Sequence, residues 1–349
     1  MNTTDNRRKI LFLGMDKIEI NEHEISLLDN EFSHYIIEKI TSRPDVYYKQ
    51  EETDLVFHYT NLSALIGIIE NQSLWATHLY FLNDRNEYKH GMDIVKEVVE
   101  SIKTEENKSI LHAISVVLDD VSKVDKYVIC FSKNGDSLSQ WRAYGNNGNG
   151  VSIGFNRKKL ESVLLGNNSY RYIIYDKEKQ IAAVKLIITE AANFFLPKKE
   201  KYKWPNESYY YWLVGYCVSN VLNFIIANYK DPAFEEEKEY RIECKQFHNM
   251  LNTKAERFDV YHRTNEKIII PYTKIYTKPI EHNGTTPKEK LPLRFRVTQL
   301  PIEKIIIGPS SNQEEVIKSV KELLGNNFYS VNSVLADLEV LKSIIPYRS

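Results

Sequence analysis

Strands and helices follow one another along this chain without strict alternation, which predicts an α+β fold. Three observations carry that expectation. Runs rich in β-branched and aromatic residues, LVFHYT at 55–60, YVICFS at 127–132 and III at 305–307, have the length and composition of strands. Between them lie segments whose apolar residues recur every three or four positions, as on one face of a helix. The 349 residues are 42% hydrophobic and 27% charged, the ordinary balance of a chain with a substantial buried core. The division expected is a helical lead-in over 1–50 and a single domain over 51–349.

The first 50 residues hold a short strand at 9–13 and a helix over 24–41, which Ser42-Arg43-Pro44 ends. The stretch 55–91 organises the rest. Its opening strand places Val56, His58 and Thr60 on one face and Leu55, Phe57 and Tyr59 on the other. Thr60 or Asn61 then caps a helix carrying Leu62, Leu65, Ile66 and Ile69 at helical spacing. A second strand is expected over 74–80, a polar turn at 83–86, and a helix from Glu87 that runs to about 118 with a polar break near 103–108.

After the strand at 127–132 come a short helix over 137–144, a glycine-rich loop at 145–150 and strands at 151–155 and 171–175. A helix over 178–195 leads to an exposed basic loop at 196–203. Residues 209–229 carry no charge and have the length of a membrane span. Ser219, Asn220, Asn223 and Asn228 interrupt that run, and Val218, Val221, Leu222, Ile225 and Ile226 share a helical face, so a buried core helix is expected and no membrane association. Further strands are expected at 267–270, 293–297 and 305–307, with a helix over 314–324.

A formal net charge of −1 supplies no overall field toward nucleic acid or anionic membrane. Three scattered cysteines, Cys130, Cys217 and Cys244, fit a reducing, cytoplasmic compartment and lack the spacing of a zinc site. There is no phosphate-binding glycine loop, no HExxH and no GxSxG, and no metal centre is expected.

Four groups are candidates for chemistry. His58 and Thr60 sit where a strand meets a helix N-terminus, a place suited to a polar or anionic ligand, although a histidine there can equally be structural. Glu237, Glu239, Arg241 and Glu243 alternate with Tyr240, Ile242 and Cys244, so they form either a solvated edge or one wall of a cleft. A carboxylate fixed beside an arginine suits a developing cation. Ser132, with Trp141 and Tyr144 one helical turn apart, forms either core or a pocket wall for a flat ring. Asn83, Asp84 and Glu87 fit helix capping.

In order, HYT, LWAT with NDRNEYKHG, CFS with LSQWRAYG and GVSIGF, EEEKEYRI, IIIGP and the terminal IPYR resemble the bacterial and phage family called domain of unknown function 2971. The match runs from about residue 54 to the end. The opening, a strand ending His-x-Thr followed by a helix of the form NLxxIIxxxxL and a second strand, is also similar to the start of the ADP-ribosyltransferase superfamily. That resemblance implies a split, mixed or antiparallel β core with surrounding helices and NAD as substrate. It implies that His58 and Thr60 hold the adenosine-side ribose, that Tyr80 or Trp75 stacks on nicotinamide, and that Glu239 binds the nicotinamide ribose, with Ser132, Trp141, Tyr144 and Arg241 around it. The implied activity is transfer of ADP-ribose to a macromolecule, protein or nucleic acid, by a toxin or antiphage effector that an antitoxin or phage component would control. Residues 198–203 are where a nucleic-acid acceptor would be met. A NAD glycohydrolase with the same pocket, and a non-catalytic module sensing a nucleotide or phage component, are the alternatives.

Overall fold

The structure, a computed structural model, describes residues 8–13, 16–46, 52–82, 87–122, 126–166, 168–201, 204–244, 259–264, 267–280, 296–310, 312–329 and 338–346. The expected turn at 83–86, residues 293–295, Tyr202, Lys203, Tyr347 and Arg348 lie outside the described residues.

A hairpin, β1 (Arg8–Leu13) and β2 (Asp16–Asn21), precedes helix α1 (Glu22–Thr41). The stretch beginning at 55 forms β3 (Leu55–Thr60), α2 (Leu62–Asn71) and β4 (Ser73–His78). Asn61 rather than Thr60 caps α2, its Oδ1 accepting the Ala64 N–H at 2.8 Å. β4 stops two residues short of the expected end because the His78 ring accepts the Tyr80 N–H at 3.2 Å and bends Leu79–Phe81 into a 3₁₀ turn. Helices α3 (Glu87–Ile102) and α4 (Lys108–Ser122) flank the expected polar break. Next come β5 (Tyr127–Ser132), α5 (Leu138–Ala143), β6 (Val151–Asn156), α6 (Arg157–Val163) and β7 (Asn168–Tyr172). They are followed by α7 (Lys177–Lys201), α8 (Glu207–Ile226) and β8 (Glu239–Cys244). The chain then forms β9 (Tyr261–Thr264), β10 (Ile269–Tyr276), β11 (Ile302–Ile307), α9 (Gln313–Asn326) and β12 (Glu339–Lys342).

Ten strands, β3 to β12, make one mixed, mostly antiparallel open sheet, in which β11 and β12 form the parallel pair. The fold class is α+β, as expected. The sheet forks at β5. One edge of β5 pairs with β8 along its whole length, from Tyr127↔Cys244 to Ser132↔Glu239. On the other edge β3 touches only at Phe57↔Ser132 and β4 only at Thr77↔Val128 and His78↔Tyr127. From those two points one wing continues as β3–β6–β11–β12 and the other as β4–β10–β9.

Alternation along the strands sends apolar side chains to one face, where Val56, Ile129, Ile153, Tyr240, Ile242 and Ile305 pack beneath α2 and α9. A second core lies among α1, α3, α4, α7 and α8, with Val46 and Tyr229 packed into it from the turns that follow α1 and α8. Thirteen residues of α8 are buried, so the uncharged 209–229 run is the axis of this layer. Gly215 is required there, since a Cβ would stand 2.7 Å from the Ala113 carbonyl oxygen on α4. Among the described residues no helix is long and apolar enough to cross a membrane.

Two sequence expectations shift. The basic loop at 196–203 is helical through Lys201, with Pro197 inside α7. Lys199 pairs with Glu207 at 2.9 Å, Lys198 with Glu31 at 3.6 Å, and the Lys198 ammonium lies 4.1 Å over the Phe194 ring one turn back. These contacts hold the turn despite the missing proline N–H and leave those two lysines already matched by carboxylates. The N-terminal helix is also integral to the helical core, for Ile25, Phe32 and Ile36 are fully buried in it.

Phe32→Ala therefore removes a core side chain that packs on Phe194 and Phe195. We expect about 3–5 kcal/mol of lost stability in urea unfolding. A loss below ~1 kcal/mol would show that α1 is an appended lead-in.

Candidate functional site

The fork leaves a problem of backbone hydrogen bonding, because Cys130 lies between the two points at which the wings meet β5. Its carbonyl is reached by His58, whose ring Nδ1 lies 3.0 Å from the oxygen. A carbonyl only accepts, so Nδ1 carries the proton. Burial pushes the His58 pKa down, with the Cys130 bond opposing and Arg263 reinforcing the shift, so the ring is neutral and Nε2 carries a lone pair. Nε2 makes no hydrogen bond among the described residues.

A cleft of about 680 Å³ opens at the fork. β3 contributes His58 and Thr60, β4 contributes Trp75 and Thr77, β5 contributes Cys130 and Ser132, and β8 contributes Glu239 and Arg241. α2 closes one side with Ser63, Ala64 and Gly67, and Tyr144, Lys230, Glu237 and Arg263 complete the rim. Gly67 faces open space, with nothing within 4 Å of where a Cβ would stand.

The alternation expected for β8 holds from Glu239 onward: Tyr240, Ile242 and Cys244 enter the sheet core, while Glu239, Arg241 and Glu243 face the other way. That charged face is buried, not a solvated edge, because β8 is internal, paired with β5 and β7. Glu237 does not share the strand. It ends a 3₁₀ turn (Pro232–Glu237), and Lys238 follows at φ 44°, a left-handed residue that redirects the chain into β8.

Glu239 is 4% exposed and both its oxygens are engaged. Oε1 accepts from Arg241 Nε at 2.9 Å and Nη2 at 2.6 Å, and Oε2 accepts from Lys230 Nζ at 3.2 Å. Lys230 also meets Glu237, and Arg241 Nη1 donates to the Ala227 carbonyl at the end of α8 at 2.9 Å. Burial alone would raise the Glu239 pKa, but Arg241, Lys230 and a hydrogen bond from the Cys130 thiol outweigh it and hold the carboxyl well below its ordinary range. The cleft thus contains a carboxylate that is ionised at neutral pH and whose charge two cations already compensate.

The structure brings together His58, Thr60, Trp75, Ser132, Tyr144, Glu239 and Arg241 at one cleft. Ser132 is tied down, its hydroxyl donating to the Glu237 carbonyl at 2.8 Å and accepting the Asn134 N–H at 3.0 Å. Tyr144 donates to Glu237 Oε1 at 3.1 Å. Two expected residues are elsewhere. Trp141 is fully buried against Tyr59, its indole N–H on Asp136 at 2.6 Å, so it is core and not pocket wall. Tyr80 is 66% exposed on the 3₁₀ turn and lies off the cleft lining, which leaves Trp75 as the aromatic of that pair in the cleft.

Sequence reasoning missed Lys230, Cys130 and Arg263. Only Cys130 carried a local signal, as the odd polarisable residue in an apolar strand. Lys230 and Arg263 arrive from a helix exit and a remote strand.

Residues 140–242 match the model of the family described as Protein of unknown function (DUF2971). The resemblance to this family is thus borne out over 140–242, a shorter stretch than the expected run from about residue 54 to the end, and the matched segment holds Tyr144, Lys230, Glu239 and Arg241, with His58 and Thr60 outside it. No curated protein and no solved structure matches the chain.

The charge network makes a signed prediction. Because the folded-state pKa of Glu239 lies below its ordinary value of about 4.5, the stability it contributes is fully present above that pH and is lost as pH falls through the folded value. In urea unfolding, the stability gap between wild type and Glu239→Gln should be widest near about pH 6 and shrink on acidification to about pH 3.5. A gap independent of pH would refute the ionised, compensated state.

Proposed function

We propose that this protein, whose chain carries the DUF2971 segment, uses its cleft to bind NAD and transfer ADP-ribose to a macromolecule. One observation carries the proposal: His58 and Thr60 of the first sheet strand and Glu239 of a strand some 180 positions later, the residues the ADP-ribosyltransferase resemblance singles out, line the same cleft at a forked sheet. In the reaction the bond between nicotinamide and ribose breaks, the bond pair leaves with nicotinamide, and the acceptor's nucleophile bonds to the ribose carbon as it loses its proton. Positive charge builds on the ribose as in glycoside cleavage. Glu239, ionised and immobile, is the group in the cleft suited to offset that charge. His58 would accept a hydrogen bond from a ribose hydroxyl through Nε2, and Trp75 would offer a flat apolar face. Release to water instead of a macromolecule gives a NAD glycohydrolase from the same groups. A role as toxin or antiphage effector, with a controlling antitoxin or phage partner, is supported by the family resemblance alone.

A second reading is favoured by the compensation of Glu239. Arg241 and Lys230 already neutralise much of its field, which weakens it toward a developing cation and suits a module that binds a nucleotide without cleaving it.

The test is nicotinamide release from NAD by purified protein, with cell lysate supplied as acceptor. Wild type should release nicotinamide. Glu239→Gln should lose on the order of a hundredfold in rate. Gly67→Leu, which fills cleft space, should lose activity without losing stability, since leucine is a better helix former than glycine by up to about 1 kcal/mol. No release by wild type favours the binding module.

A further inference from the structure

We propose that the β4–β10–β9 wing is a docking platform for single-stranded nucleic acid; as acceptor for ADP-ribose that ligand rests on the NAD-using reading, while its binding does not. Strand register places Lys274 opposite Trp75, Tyr272 opposite Thr77, and Tyr261 opposite Tyr272, so these side chains occupy one face. Trp75 stacks on Tyr272 at 4.4 Å between centroids and 23° between planes, and Tyr261 continues the row at 5.6 Å. Lys274 lies 4.6 Å over the Tyr261 ring and 5.9 Å over that of Trp75. Arg263 donates to Thr77 at 3.1 Å at the cleft's edge. Trp75 is 43% exposed, although it sits in the middle of a sheet wing.

Tyr272 is buried between its neighbours, so the rings open to unpaired bases are Trp75 and the half-buried Tyr261, and rings flanked by cations in this way bind such bases by stacking while holding the phosphate backbone. Neither Lys274 nor Arg263 has a carboxylate partner among the described residues, in contrast to Lys198 and Lys199 on α7. Lys274 and Arg263 thus bring uncompensated charge to this wing, which Lys198 and Lys199 do not bring to α7. Trp75, Thr77 and Arg263 also line the cleft, so the row of rings leads into it. A duplex hides its base faces and would gain only the phosphate contacts.

The experiment is fluorescence anisotropy of the full chain, without NAD, against labelled 12-nucleotide single strands of DNA and of RNA and against a DNA duplex. Tyr261 and Lys274 lie outside the cleft lining, so their variants separate the platform from the cleft. We expect a single strand to bind more tightly than duplex, about a tenfold loss in Tyr261→Ala, and in Lys274→Gln a salt slope smaller by about 0.7. Absence of binding at low salt, equal binding of duplex, or unaltered binding in both variants would overturn the platform. Single-strand binding by a protein that releases no nicotinamide would remove the NAD reading and leave the platform standing. Nicotinamide release without oligonucleotide binding would do the reverse.

Discussion

The structure turns on a buried carboxylate. Glu239 lies in the wall of the cleft with almost no access to water, a position that only matched positive charge makes tolerable. Arg241, two residues on and on the same strand face, supplies a two-pronged contact, and Lys230, at the exit of α8, supplies the second cation. Because Arg241 also holds the Ala227 carbonyl, the network joins β8 to the last turn of α8. Removing one member would strand charge in a dry site, and the loss would then be several kcal/mol where a surface pair contributes almost nothing. The two cores are thereby tied at the place where the cleft opens.

The fork is the second constraint. A strand with two wings diverging from one edge exposes backbone groups that neither wing can satisfy, and a sheet normally avoids that arrangement. Here the gap is spanned by a side chain: His58 donates to the Cys130 carbonyl. The contact fixes the imidazole tautomer and directs the remaining nitrogen's lone pair away from the backbone. A structural role and a ligand-binding role for His58 are therefore the same geometry, since the bond that closes the fork is what prepares the ring.

Chemistry and stability pull against each other at Glu239. The cations that make its burial possible also reduce the field it offers a reacting ribose. A transferase would resolve that tension if substrate binding drew Lys230 toward Glu237, its other partner, leaving one oxygen of Glu239 to the ligand. A binding module would have no such demand, and its network could stay as it is.

Much of this protein is written locally. The strands at 55–60, 127–132, 151–155 and 305–307 announce themselves by β-branched and aromatic density, although the last begins three residues earlier in the structure, and the alternation along β8 separates Glu239 and Arg241 from Tyr240 and Ile242 before any contact is known. The uncharged run at 209–229 announces burial through the spacing of its valines and isoleucines. Sequence also singled out His58, Thr60 and Glu239. Only the tertiary structure decided the rest. That β8 is internal, that Trp141 is core, that Tyr80 turns away from the cleft and that Lys230 faces Glu239 all depend on which elements pack together. The physical reason is range. Propensity and periodicity act over a few residues, whereas the pairing of a strand edge and the opening of a fork are set by partners far apart in the chain, such as Phe57 with Ser132 and Tyr127 with Cys244, and Lys230 reaches Glu239 only because the exit of α8 lies against β8.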